Sequence, residues 1–212
     1  MKITRPIRAV LFDMDGVMVD SEFVYMKYLL EFAKEKNPAV TMEDINQMVG
    51  RSRQDSWTVM ERAVNNGETW ETLIKEWADR DIYSRIDYRK IFRPEMKTTV
   101  QELKRRGYTV ALVSSTGPKL ISRIVEEVGM RPEFDLIVSG KQFKQSKPNP
   151  EIYHYTADTL GIREDECFVV EDSTVGIEAA YRAGMSIAGL KDDRFGFDQS
   201  KACLLYTSDA AD

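Results

Sequence analysis

The sequence predicts an α/β fold, a doubly wound parallel sheet that carries an inserted helical domain, and three observations support that reading. Short apolar, β-rich runs recur at residues 7–13, 108–114, 134–139, 167–171 and 185–190. Each is nearly continuous in apolar side chains, as strands buried on both faces of a parallel sheet are. Helical periods separate the later runs, which makes the alternation of an α/β core. Between the first run and the second lies a stretch with helical stripes only. The 212 residues leave room for a core of roughly 140 residues and a smaller insertion.

The elements follow in chain order. The first strand, residues 7–13, ends in a carboxylate, Asp13. The insertion, residues 21–92, shows stripes at Phe23, Met26, Leu30 and Ala33, then at Trp57, Met60 and Val64, then at Trp70, Leu73, Ile74 and Trp77. Asn37-Pro38 and Asn65-Asn66-Gly67 punctuate them. All three tryptophans fall here, and the stripes read as a small helical core rather than a cofactor box. Beyond the insertion, Met96, Val100 and Leu103 share a helical face before Gly107, and Leu120, Ile121, Ile124, Val125 and Val128 share one before Gly129. Asn149-Pro150 reads as an N-cap and a first helical residue, with Gly161 closing that helix; a last helix over 174–183 stops at Gly184. The predicted domains are therefore a core of 1–20 and 93–202 and a helical domain of 21–92. Residues 203–212, CLLYTSDAAD, fit no preceding period and resemble translated sequencing-adapter read-through, so they are read as a non-native tail.

Composition narrows the function classes. A net charge of −5 announces no basic face, which argues against nucleic-acid and membrane-surface partners. The apolar stretch 9–12 is cut by Asp13, too short for a signal or a spanning helix. Two cysteines, Cys167 and Cys203, cannot form a disulfide framework, and a single histidine, His154, excludes chemistry that needs two. A soluble, cytoplasmic, monomeric protein is expected.

The chemistry gathers at strand ends, where open α/β sheets place their ligands. Asp13-Met14-Asp15-Gly16 puts two carboxylates at i and i+2, pointing one way from extended backbone. Two such charges repel unless a cation sits between them or one holds a proton. A hard divalent ion, Mg²⁺ above all, answers the first need, and a protonated Asp15 would serve as a general acid. The run at 167–171 ends in Glu171-Asp172, a second acidic pair that could complete a Mg²⁺ site. The run at 108–114 ends in Ser114-Ser115-Thr116 before a helix, offering hydroxyls and backbone N–H groups to a phosphate. Lys147, in the Pro-rich SKPNP before another helix, can neutralise a phosphoryl group. Each feature alone has a plain structural reading; four strand ends in this order are hard to obtain by chance.

On these residues the chain resembles the haloacid dehalogenase-like hydrolases, in the branch of β-phosphoglucomutase and small-sugar phosphatases. DMDGVMVDSE (13–22), VSST (113–116), the lysine of SKPNP (146–150) and VVEDSTVGIEAA (169–180) match that family's four motifs, and the likeness spans residues 7–190. The resemblance implies a Rossmann-like core with an α-helical cap at 21–92. It makes Asp13 the nucleophile of an aspartyl-phosphate and Asp15 the acid and base. Ser114, Ser115 and Lys147 become phosphoryl ligands. The Mg²⁺ site takes Asp13, Asp15 through its backbone carbonyl, Asp172 and, directly or in the outer shell, Glu171. Arg53, in VGRSRQDSW (49–57), matches a cap residue that meets the distal end of a sugar phosphate, and Thr116 adds a contact. The alternative reading of Arg53 is a solvated arginine at a helix start.

Departures bear on the reaction. The helper histidine of β-phosphoglucomutases falls at Tyr25, and a cap lysine at Val49. A mutase must hold a bisphosphate and shield its phosphoenzyme from water, whereas hydrolysis needs less. The expectation is a Mg²⁺-dependent phosphatase acting on a small phosphorylated metabolite, with a phosphomutase as the alternative. A non-catalytic phosphosugar-binding protein would have no need of Asp15, and a dehalogenase none of the second Asp and the metal cluster.

Overall fold

The computed structural model describes residues 5–49 and 53–207, without the Arg53 side chain. In chain order, strand β1 (Ala9–Phe12) is followed by helices α1 (Ser21–Lys36), α2 (Met42–Asn46), α3 (Arg53–Val64), α4 (Trp70–Ala78) and α5 (Ile82–Arg85). Then come α6 (Glu95–Arg105), β2 (Thr109–Ser114), α7 (Pro118–Glu127), β3 (Leu136–Ser139), α8 (Glu151–Leu160), β4 (Cys167–Glu171), α9 (Thr174–Arg182), β5 (Ser186–Leu190) and β6 (Leu204–Tyr206). The chain forms two compact units. One holds Met1–Asp20, Tyr88–Asp193 and Phe197–Asp212; the other holds Ser21–Asp87 with Arg194–Gly196.

The first unit is a six-stranded sheet in the order β3-β2-β1-β4-β5-β6, every pair parallel. The order reverses at β1, which lies between β2 and β4 in register Leu11 to Ala111 and Leu11 to Val169. Such a reversal opens a crevice at the carboxyl ends of the central strands. Alternation along β1 sends Ala9 and Leu11 into one buried layer with Ala111, Val113, Val169, Tyr153 and Ile177, while Val10 and Phe12 serve the other face. All four β1 side chains are buried, which is why the run lacks any polar residue.

In the second unit Phe32 is fully buried, with ring centroids 6.3 Å from Trp57 and 5.5 Å from Trp77. The stripe on α1 differs from expectation: Leu29 and Phe32 are buried with Met26 and Ala33, while Phe23 and Leu30 are only partly covered. Leu29, three residues before Phe32, shares its buried helical face, and periodicity alone does not separate it from adjacent Leu30. Lys36 completes the packing by bonding Glu76 (2.6 Å) and Glu68 (3.0 Å).

Two further details correct the sequence reading. Helix α8 begins at Glu151, with Pro150 as N-cap; Asn149 acts through its Oδ1, which accepts from the Glu151 N–H at 2.9 Å. Residues 204–206, in the segment where the sequence shows no strand period, add a parallel strand to β5, Ala188 opposite Leu204. A three-residue apolar run suffices there because the β5 edge supplies the hydrogen-bonding template.

Candidate active site

The site assembles at the carboxyl ends of β1, β2 and β4. Asp13 directly follows β1, and its N–H extends the ladder to the Val170 carbonyl at 2.9 Å. The chain then turns sharply: the Gly16 N–H reaches the Val19 carbonyl at 2.8 Å, and the Met18 N–H reaches that of Met14 at 2.8 Å. Gly16 has φ +80°, and a Cβ there would overlap the Asp172 carboxylate, so glycine is required twice over.

Lys147 lies in the loop between β3 and α8, with its side chain 3% exposed. Its three ammonium protons find three acceptors: Asp13 Oδ1 at 2.6 Å, Glu171 Oε1 at 2.7 Å and the Val113 carbonyl at 3.1 Å. Burial alone would depress the Lys147 pKa, but the Asp13 and Glu171 charges outweigh it and hold the ammonium well above its usual value. For Asp13 the balance runs the other way. Burial first, and then the Glu171 and Asp15 charges, push its carboxyl up to about 8 against the pull of Lys147.

Glu171, 1% exposed, is saturated with donors. Its Oε1 accepts from Lys147 and from the Tyr153 hydroxyl at 3.2 Å; its Oε2 accepts from the Asp172 and Ser173 N–H groups and the Ser173 hydroxyl. Ser173 also caps α9, accepting the Gly176 N–H at 3.1 Å. Tyr153 is one residue that sequence reasoning missed. It is fully buried on α8, its ring centroid is 5.1 Å from Lys147 Nζ, and burial raises its hydroxyl pKa far above normal. A polar-tipped aromatic on an inward helical face three residues after the Pro-rich loop was the available signal.

Asp15 is directed elsewhere. Its Oδ2 accepts from Thr116 Oγ1 at 2.8 Å and from Ser114 Oγ at 3.4 Å, and the Thr116 N–H in turn bonds Ser114 Oγ at 3.0 Å. Ser115 Oγ accepts from Ser146 at 3.4 Å. The structure thus brings Asp13, Lys147, Glu171 and Asp172 together and joins Asp15 to Ser114 and Thr116, while the Arg53 side chain lies outside the described residues. His154 sits on the α8 surface against Glu164 at 3.0 Å.

Carboxylate oxygens of Asp13, Glu171 and Asp172 lie within 4.8 Å of one another, all buried. Lys147 bonds two of the three, Asp13 and Glu171. An all-oxygen set of buried carboxylates suits a hard divalent cation such as Mg²⁺. No helix among the described residues is long and apolar enough to cross a membrane.

A buried aspartate after the first strand, paired with a lysine and an acidic cluster at a sheet reversal, is the arrangement on which the sequence resembles the haloacid dehalogenase-like hydrolases. Comparison with known proteins agrees. The family model of the haloacid dehalogenase-like hydrolases matches residues 10–190, and the chain belongs to that family. It is 27% identical to a phosphoglycolate phosphatase of Photorhabdus laumondii, over 98% of this chain and 89% of the relative. It is 26% identical to a phosphorylated carbohydrates phosphatase of Thermotoga maritima, over 84% and 82%. Together these relatives assign it to the phosphoric monoester hydrolases. Among solved structures, a β-phosphoglucomutase from Clostridium difficile shares the fold with a TM-score of 0.71 and 22% identity, over 97% of this chain and 93% of the other.

Proposed function

We propose that this hydrolase is a Mg²⁺-dependent phosphatase of a small phosphorylated metabolite, most simply a sugar phosphate, acting through an aspartyl-phosphate on Asp13. The observation that carries the reading is the buried contact of Lys147 with Asp13 inside the acidic cluster. That contact makes little sense as a stabilising element, because a buried ion pair rarely outperforms apolar packing. It makes sense as a seat for a phosphoryl group beside a nucleophile.

In the proposed course, the phosphoryl group is held by Lys147 and by the hydroxyls and N–H groups of Ser114 and Ser115. An Asp13 carboxylate oxygen bonds to phosphorus as the bond to the leaving oxygen breaks, and Asp15 gives that oxygen its proton. Water then attacks the phosphorus, Asp15 takes the water's proton, and the Asp13–phosphorus bond breaks to release phosphate. Asp13 and Asp172 would hold Mg²⁺ with the Asp15 carbonyl, and Glu171 would support them; when bound, the cation neutralises charge on the transferring group. Phosphoryl transfer asks mainly for this positioning and neutralisation.

The helical unit is read as a cap that selects the substrate, with Arg53 as a contact for its distal end and Thr116 adding one from the core. Hydrolysis is preferred over mutase chemistry because Tyr25 stands where a mutase has its helper histidine. Its hydroxyl accepts from the Trp77 indole at 3.0 Å, and its ring stacks on Tyr83 at 5.8 Å. The test is phosphate release from a panel of sugar phosphates, with Mg²⁺ and with EDTA. Release that requires the metal supports the phosphatase. Consumption of β-glucose 1-phosphate without release would make it a mutase, and silence across the panel would refute both.

A further inference from the structure

The residues after the family match contribute to the acidic cluster by an unexpected route. Gln199 is 9% exposed, and its Nε2 donates one N–H to the Asp172 carbonyl at 2.6 Å and the other to the Leu190 carbonyl at 2.7 Å. One residue earlier, the Asp198 N–H bonds Thr174 Oγ1 at 2.7 Å, and Asp198 Oδ1 closes its own turn through the Ser200 N–H at 3.0 Å. Two residues later, Lys201 pairs with Glu178 on α9 and lies 5.1 Å from the Tyr181 ring centroid.

The loop therefore grips the turn 172–174 from two sides. On its inner side the Asp172 N–H is tied to Glu171 Oε2 at 3.1 Å; on its outer side the Asp172 carbonyl is tied to Gln199. With both adjoining peptide planes fixed, the Asp172 side chain, 4% exposed and against Gly16, has little freedom to turn. A side chain that bridges the ends of two neighbouring strands is an expensive use of a buried amide unless its orientation matters, since a buried polar group left without a partner is destabilising.

We infer that Gln199 is a positioning residue for the cation site, acting through the Asp172 backbone so that the carboxylate is aimed before the cation arrives. This rests on the reading of Asp172 as a cation ligand. Groups that orient a ligand from behind typically change metal affinity 10–100-fold when removed. Mn²⁺ serves as the probe, its dissociation constant measured by calorimetry on metal-free protein.

Gln199→Met, which keeps the volume and removes both donors, is expected to raise the Mn²⁺ Kd by about tenfold while circular dichroism shows a native fold. Thr174→Val, which removes only the acceptor for Asp198, is expected to raise it by a smaller factor. An Mn²⁺ Kd within twofold of the parent in folded Gln199→Met overturns the inference. Should that variant fail to fold, an unchanged Kd in Thr174→Val overturns it instead. Asp172→Asn separates the two levels. If it too leaves Mn²⁺ binding intact, the cation-ligand reading itself has failed; if it abolishes binding while Gln199→Met does not, only the positioning role has.

Discussion

Replacing Asp13 by asparagine probes the charge crowding at the centre of the site. The amide is nearly isosteric and still offers an oxygen to Lys147, which bonds Asp13 at 2.6 Å, but it cannot ionise. In the folded metal-free protein, burial and then the neighbouring Glu171 and Asp15 charges push the Asp13 carboxyl up to about 8, from 3.8. A group whose pKa is raised by folding contributes stability fully below its unfolded value and loses it as pH rises through the folded one. The parent should therefore lose stability relative to the variant between pH 4 and pH 8, at up to about 1.4 kcal/mol per pH unit. From pH 5 to pH 8 the variant should gain about 2–4 kcal/mol on the parent, levelling off about one unit above that pKa. The assay is urea unfolding of both proteins in EDTA across that range. Saturating Mg²⁺ should flatten the difference, because the cation favours the ionised carboxylate. Parallel stability curves in EDTA would refute the claim that burial and the neighbouring carboxylates outweigh Lys147 at Asp13.

Three other outcomes follow from the same geometry. Gly16→Ala must place a Cβ against the Asp172 carboxylate at φ +80°, so it should cost about 1–3 kcal/mol in urea unfolding and remove activity; a stable, active variant would contradict the turn. Tyr153→Phe takes one donor from the buried Glu171 carboxylate and should cost about 1–3 kcal/mol, with little change expected if the hydroxyl instead reached solvent. Phe32→Ala empties the centre of the helical unit between Trp57 and Trp77 and should cost about 3–5 kcal/mol, accompanied by a change in tryptophan emission; unaltered emission would place those rings elsewhere.

Much of this was legible in the sequence because buried parallel strands leave long apolar runs, and the candidate site residues sit where those runs end. Asp13, Ser114 and Glu171 each close or directly follow a strand, so finding the strand finds the residue. Asp15 was legible as a carboxylate, but its bond to Thr116 was not, because it depends on how two loops meet. Tyr153 and Gln199 escaped for a common reason. Each acts through a partner far away in sequence, Glu171 and Asp172 respectively, and neither spacing nor composition encodes such a contact. The choice of Leu29 over Leu30 escaped because adjacent apolar residues satisfy the helical period equally well until a neighbour is known. Strand β6 escaped because its template lies in β5 and not in its own three residues.

The central claim is that Asp13 carries the phosphoryl group. Rapid acid quenching during turnover of a labelled sugar phosphate that the protein hydrolyses, followed by proteolysis and mass spectrometry, tests it directly. The account predicts transient label on the peptide containing Asp13, absent in Asp13→Asn. Turnover at full rate with no label at Asp13, or label on another residue, would contradict it.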